Sequence, residues 1–285
     1  MSIIIDGKGI AEKIKDNVKE EVLKLNKEGI QPGLAVVIVE GDPASRIYVN
    51  NKKKACESVG IYSQEYTLSQ QITQDELITL IDSLNDDTSI HGILVQLPLP
   101  KHLNEKEVIN RISPIKDVDA FHPQNVGKIM LGDYDFLPCT PAGIMEILNH
   151  ENINIEGKNC VVIGRSNIVG KPMSMLMLHA NATVTICHSK TRNLKEICKS
   201  ADIIIAAVGK ANFVTKDMVK DEAVVIDVGI NRGEDGKLCG DVKFDEVKDK
   251  ASYITPVPGG VGPMTIAMLM KNTITAAKLQ HNLKQ

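Results

Sequence analysis

Residues 159–172 read NCVVIGRSNIVGKP. An apolar run of strand character from Asn159 to Ile163 breaks at Gly164, and Gly170 stands before a helical pattern. A strand, then a glycine-bearing turn, then a helix is the setting of a phosphate-binding turn. Gly164 allows the tight turn, and small residues let backbone N–H groups and a helix N-terminus approach a pyrophosphate. The spacing departs from GxGxxG: Ser166 replaces the middle glycine, and the last glycine comes one residue late. Taken alone, the same letters describe an ordinary glycine-rich strand–helix turn.

The following strand, ATVTIC (residues 182–187), runs into His188-Ser189-Lys190-Thr191. NAD sites place an acid at this point to hold the ribose 2′-hydroxyl. No carboxylate is present here. A hydroxyl and a cation suit a 2′-phosphate instead, and Arg165 can add a guanidinium. NADP is therefore expected over NAD.

Outward from this turn, apolar strands alternate with amphipathic helices, which implies an α/β chain with mainly parallel sheets. A helix at about 141–150, the segments DIIIAAVG and AVVIDVGIN, the strand SYITPV, the loop PGGVGP and a helix from about 263 to 280 complete a doubly wound dinucleotide-binding half. The first half carries a helix near residues 7–28, the strand LAVVIVEG, a lysine-bearing helix and the short strand YSQEYTL. A helix follows from Thr73, where Thr73 and Glu76 form a capping box. Then come the strand HGILVQLPLP and a short helix after Asn104. Residues 113–141, rich in Pro, Gly and Asp, are the longest segment without helix or strand periodicity, so a domain boundary is placed inside them.

Composition excludes several classes. A chain of 285 residues with 43% hydrophobic content can bury the core of one large domain or two ordinary ones. The net charge of −3, the absence of Trp and an aromatic content of 3% argue against nucleic acid and anionic membranes as partners. No apolar run approaches the roughly 20 residues of a membrane span. The N-terminal MSIIIDGKGI lacks the pattern of a secretory signal. The six cysteines form no CxxC pair and match no zinc-ligand spacing, so no metal is expected. Buried free thiols in the cytoplasm are expected.

The first half raises a question of its own in YVNNKKKACESVG, residues 48–60. At ~100° per residue, Tyr48, Lys52, Ala55, Cys56 and Val59 fall within a sector of about 100°, with Lys52 near its middle. Lys53 and Lys54 point elsewhere and read as solvated. A buried ammonium needs a partner, and desolvation brings a lysine towards general acid–base work. Snorkelling of the Lys52 charge to water is the alternative. Gln96 is a polar residue at the carboxyl end of an otherwise apolar strand, where ligands of open α/β sheets bind, and its amide can orient an amine. In KDVDAF, Asp117 and Asp119 are both candidates for ligand contact, and either can equally be a loop-capping aspartate.

The strings YVNNK, VQLPLP, KDVDAFHPQNVG, CTPAGI, VVIGRSNIVGKPMSMLM, VIDVGIN, GDV and YITPVPGGVGPMTIAML appear in order and at matching spacing. Together they resemble the bifunctional methylenetetrahydrofolate dehydrogenase/cyclohydrolase family. The resemblance implies an N-terminal α/β substrate domain at 1–120 and a Rossmann-type NADP domain at 140–262. The last helix, about 263–285, would pack back onto the first domain, with the active site in the cleft between domains. It implies oxidation of 5,10-methylenetetrahydrofolate with NADP, hydrolysis of the methenyl product to 10-formyltetrahydrofolate, and a homodimer. By resemblance Lys52 is the catalytic lysine, Tyr48 its partner, Gln96 the residue that positions it, and Asp119 the carboxylate that holds the pterin. Gly164, Arg165, Ser166, Ser189 and Ile230 would contact the cofactor, and the loop 256–263 would lie over the folate pocket. One departure is Ala120, where the family commonly has Gly; a positive φ at this position would strain Ala.

Overall fold

The structure is a computed structural model and describes residues 2–233 and 236–283, apart from the side chains of residues 43 and 44. In chain order the elements are β1 (Ile3–Ile4), α1 (Gly7–Lys27), β2 (Gly33–Val39), α2 (Pro43–Val59), β3 (Tyr62–Leu68), α3 (Gln74–Asp86) and β4 (Gly92–Val95). Then follow α4 (Glu105–Arg111), α5 (Pro123–Leu131), α6 (Cys139–His150), β5 (Asn159–Ile163), α7 (Gly170–His179), β6 (Thr183–Cys187) and α8 (Leu194–Lys199). The last are β7 (Ile203–Ala206), β8 (Val224–Asp227), β9 (Asn231–Arg232), β10 (Leu238–Cys239), α9 (Phe244–Val247), β11 (Tyr253–Ile254) and α10 (Val261–Gln280). The chain divides into two compact units. One comprises the chain up to Ala11 and Thr140–Thr265; the other comprises Glu12–Cys139 and the chain from Ile266 onward.

The unit built around residues 12–139 holds a three-stranded parallel sheet in the order β3-β2-β4. β2 is buried at all seven positions, as a central parallel strand covered on both faces must be. Its side chains Ala35 and Val37 meet Ile93 of β4 and the buried face of α3, Leu77, Ile81 and Leu84, in one core. These α3 residues recur at helical spacing, and the helix starts where its cap dictates. Thr73 Oγ1 accepts from the Glu76 amide at 3.3 Å, and the Thr73 amide donates to Glu76 Oε2 at 2.9 Å. The later part of α10 docks in this unit: Lys278 Nζ lies 2.6 Å from Glu21, and Gln280 Nε2 donates to the His91 carbonyl at 2.8 Å.

The other unit contains a six-stranded parallel sheet in the order β1-β11-β8-β7-β5-β6. From β5 the chain steps to β6 on one side and then to β7, β8 and β11 on the other. The order therefore reverses between β5 and β7, which is where doubly wound sheets bind ligands, beyond the carboxyl ends. Its core gathers Val161 and Ile163 of β5, Ile204 of β7, Val225 of β8 and Ile254 of β11.

Several details depart from the sequence-based expectation. Residues 3–4 were expected in the N-terminal domain, but they extend the larger sheet by pairing with Tyr253 and Ile254. Two β-residues carry too little periodicity to announce a partner so distant in sequence. The irregular stretch 113–141 contains α5, started by His122 as cap with Pro123 in the first turn and stopped by Gly132 in the left-handed region. In PGGVGP the helix begins at Val261, so residues 261–263 are not loop. The antiparallel pair β9–β10 was not anticipated. Residues 1, 234, 235, 284 and 285, included in the expected domain ranges, lie outside the described residues. No described helix is long and apolar enough to cross a membrane.

The Thr73 cap is predicted to stabilise the fold measurably. Thr73→Ala should lower unfolding free energy by ~1 kcal/mol, read as a lower urea midpoint with an unchanged slope.

Candidate active site

The three lysines of α2 differ in surroundings. Ser45, Val49, Ala55, Cys56 and Val59 are buried along one side of the helix, while Lys53 and Lys54 are exposed and Lys52 is half-buried. Lys52 Nζ donates to Gln96 Oε1 at 3.0 Å. Gln96 directly follows β4, and its backbone amide continues the sheet by donating to the Val37 carbonyl at 2.8 Å. Its Nε2 donates to the Leu97 carbonyl at 2.7 Å. With the amide nitrogen committed to backbone, the side-chain oxygen is the atom left to face the lysine. Tyr48 lies one helical turn before Lys52 and is half-buried, and burial raises its phenol above the ordinary range.

The structure separates the two aspartates. Residues 116–117 run parallel to β4, with an isolated bridge pairing Ile93 with Asp117. That pairing carries Asp119 towards the end of the sheet where Gln96 sits. Asp117 is buried, and its Oδ2 accepts from the His122 amide and from Asn125 Nδ2, both at 2.8 Å. It is a loop-forming group. Among the described residues the side-chain hydrogen-bond partner of Asp119 is the Cys139 thiol, at 3.9 Å. Desolvation pushes the Asp119 carboxyl up to about 6, against the pull of the Lys52 charge and with a smaller push from Asp117. A half-buried carboxylate with so few protein donors can serve a ligand.

Ala120, next in the chain, has a φ of 57° and is completely buried. The left-handed conformation that favours Gly is thus present with a Cβ on it. Its amide donates to the Asp117 carbonyl at 3.1 Å, which closes the turn that presents Asp119. Two supports escaped the sequence reading. Asn272 on α10 donates through Nδ2 to the Val118 and Leu137 carbonyls at 2.8 and 2.9 Å, and Cys139 approaches the Val118 carbonyl at 3.5 Å. The available signal was a polar residue inside the apolar pattern of the last helix.

The residues expected at the cofactor lie on the larger sheet. Gly164 follows β5 at a φ of 135°, and a Cβ there would stand 2.2 Å from the Ala207 carbonyl oxygen beyond β7. The glycine lets the two loops at the reversal point close together. A Cβ on Gly170 would meet the Gly164 oxygen at 2.3 Å, so the turn also folds tightly on itself. Ser166 Oγ accepts from the Val169 and Gly170 amides at 3.1 and 3.3 Å, so its oxygen already caps two amides at the start of α7. Arg165 through Ile168 are exposed.

The Gly164 amide donates to the Cys187 carbonyl, which puts the loop after β6 beside this turn. In that loop the His188 amide donates to Thr191 Oγ1 at 2.8 Å, and the Lys190 amide donates to His188 Nδ1 at 3.1 Å. Ser189 and Lys190 stand exposed on the resulting turn, as does Arg192, which the sequence reading had not singled out. This donor set fits a dinucleotide that carries an additional phosphate. Ile230 follows β8 and is 47% exposed. The segment 256–260 is held within its own unit, with the Lys8 amide donating to the Gly259 carbonyl at 3.0 Å. Among the described residues no group of three or more His, Cys, Asp or Glu could hold a metal ion.

Comparison with known proteins finds two family domains along the chain. The family described as tetrahydrofolate dehydrogenase/cyclohydrolase, catalytic domain, matches residues 5–119. Its companion, the NAD(P)-binding domain, matches residues 138–281. The bifunctional protein FolD of Acetivibrio thermocellus is 62% identical over 281 residues, covering 99% of each chain. A solved FolD methylenetetrahydrofolate dehydrogenase/cyclohydrolase from Campylobacter jejuni superposes with a TM-score of 0.96 at 52% identity, covering 98% of this chain and 100% of that one. The Trypanosoma brucei enzyme, solved with NADP cofactor and an inhibitor, has a TM-score of 0.94 at 37% identity and covers 98% of both chains. The chain belongs to the tetrahydrofolate dehydrogenase/cyclohydrolase family.

Proposed function

We infer that the protein is a bifunctional enzyme that oxidises 5,10-methylenetetrahydrofolate with NADP and hydrolyses the resulting methenyl cation to 10-formyltetrahydrofolate. The observation that carries the reading is the Lys52 amine held 3.0 Å from Gln96 Oε1 at the carboxyl end of β4. NADP, when bound, supplies the hydride acceptor. For the oxidation the chain's part is chiefly positioning. Asp119 accepts two parallel hydrogen bonds from the pterin amino group and ring N–H, and Tyr48 shares the ligand one helical turn from Lys52. Arg165, Ser166 and Ser189 receive the cofactor phosphates, and Ile230 offers an apolar contact.

Ring opening makes a different demand, because water must lose a proton as it attacks the cationic carbon. The Lys52 amine takes that proton; the hydrated carbon then becomes the N10-formyl group as its bond to N5 breaks and N5 takes up a proton, with one proton released overall. Gln96 Oε1 accepts one amine N–H, which fixes the nitrogen and leaves its lone pair for the water. A homodimer in the cytoplasm is proposed as well. The first part rests on the family resemblance, and the second is supported by six free cysteines. Sedimentation at working concentration tests the dimer.

Lys52→Met should abolish methenyltetrahydrofolate hydrolysis while retaining part of the NADP-dependent oxidation, followed by methenyl absorbance in a coupled assay. Full hydrolysis by that variant removes Lys52 from the mechanism. Asp119 must be ionised to accept two N–H donors, and its carboxyl lies at about 6. Lowering pH through that value therefore protonates it, and kcat/KM for the folate substrate should fall on the acid side. In Asp119→Asn that acid limb should disappear from an already weakened profile. Arg165→Ala should raise KM for NADP by on the order of tenfold to a hundredfold, the worth of one charge-assisted hydrogen bond, and leave KM for NAD nearly unchanged. Equal losses for both cofactors would detach Arg165 from the 2′-phosphate.

A further inference from the structure

Two buried carboxylates that take no part in the chemistry above lie under the loops beyond β7 and β8. Asp227 ends β8 and Asp241 follows β10; both are buried, Asp241 completely. Asp227 Oδ1 accepts from the Gly229 and Asp241 amides at 3.0 and 2.8 Å, and its Oδ2 accepts from the Val242 amide at 2.9 Å. Asp241 Oδ2 accepts from the Val208 and Gly209 amides at 2.6 and 3.0 Å. Its Oδ1 accepts from the Lys210 amide and from Asn231 Nδ2, both at 2.9 Å. Each carboxylate is neutralised by N–H dipoles, so its hydrogen bonds are short and directional.

The backbone is shaped around these two groups. A Cβ on Gly240 would stand 1.8 Å from Asp227 Oδ2, and one on Gly229 would stand 2.2 Å from Asp241 Oδ1. Glycine at both places is what lets the carboxylates approach. Burial and the neighbouring Asp241 charge raise the Asp227 carboxyl to about 6 against the pull of its amide donors. Above about pH 6 it is ionised and both of its oxygens accept.

The loops so held have a specific location. Ala206 and Asp227 are paired in adjacent strands, so residues 207–210 and 228–231 rise side by side from the sheet. The first of these loops touches the phosphate turn, since Ala207 is the group a Cβ on Gly164 would strike. The second carries Ile230 between two anchored neighbours, Gly229 bound to Asp227 and Asn231 bound to Asp241. Ile230 is 47% exposed, with its Cδ1 near Gly262, and its backbone is fixed by those two anchored neighbours.

We propose that Asp227 and Asp241 are positioning residues for hydride transfer: they clamp the loops 207–210 and 228–231 and so hold Ile230 against the nicotinamide end of NADP. The proposal rests on Ile230 being a cofactor contact. Asp241→Asn exchanges an acceptor for an NH2 group facing N–H donors and should loosen both loops. A misplacement near the reacting atoms costs up to ~100-fold, so the expected loss in dehydrogenase kcat is about tenfold or more. Hydrolysis of preformed methenyltetrahydrofolate, assayed without cofactor, should stay within about twofold. Amide exchange at residues 208–210 and 229–231 should accelerate.

Asn231→Ala removes a single partner of Asp241 and keeps every backbone amide bond. It should lower dehydrogenase kcat by about threefold to tenfold with hydrolysis retained, and it decides the matter if Asp241→Asn does not fold. Ile230→Ala is the control for the underlying reading. If it leaves kcat and KM for NADP unchanged, the cofactor contact itself is wrong. If it lowers activity while Asn231→Ala and any folded Asp241→Asn behave as the parent, the clamp is wrong and the contact stands. Parallel loss of both activities in the Asp variants also overturns the clamp, because it marks a general structural role.

Discussion

The hydrogen bond from Lys52 Nζ to Gln96 Oε1 depends on a chain of fixed backbone. Gln96 is held by the Val37 carbonyl on one side and by its own neighbour, the Leu97 carbonyl, on the other. Val37 in turn lies in a strand buried at every position. A lysine has four rotatable side-chain bonds and a strongly hydrated head, so α2 alone could not fix its nitrogen. The parallel sheet provides a rigid acceptor at the strand end, and the burial of Val49, Cys56 and Val59 sets the roll of the helix that delivers the stem.

The same unit handles its buried acids by dividing the work. Asp117 is saturated by an amide and by Asn125, and those bonds shape the loop. Asp119, two residues on, is presented by a turn that forces Ala120 to a φ of 57°. Non-glycine residues enter that region at a cost of roughly 1–2 kcal/mol, so the surrounding burial of Ala120 and its amide bond to Asp117 must hold it there. Burial raises the Asp119 carboxyl to about 6, and few protein donors offset that desolvation.

On the larger sheet the balance differs. Here Asp227 and Asp241 are satisfied mainly by backbone amides, and the exposed groups at the reversal point include cations, hydroxyls, Asn167 and the isoleucines 168 and 230. Ser166 illustrates how a turn can serve two ends. Its oxygen caps amides at the start of α7, which stabilises the helix N-terminus, while the residue remains on the exposed side of the loop.

Much of this was legible in the residues themselves. Strand and helix alternation gave the α/β class, the Thr73–Glu76 box gave a helix start, and the wheel around Lys52 distinguished it from Lys53 and Lys54. These signals are local, carried by periodicity and short-range capping. What tertiary structure decided were relations between distant segments. The pairing of residues 3–4 with 253–254 and the reach of Asn272 to the Val118 carbonyl join segments far apart in the chain, while the donors that saturate Asp117 come from an irregular loop nearby that carries no periodicity. A short β-segment, an aspartate in a polar loop and an asparagine in an apolar helix look unremarked in sequence. Their meaning lies in which donors or strands the fold brings within 3 Å, and hydrogen-bond complementarity at that range is a property of the folded chain.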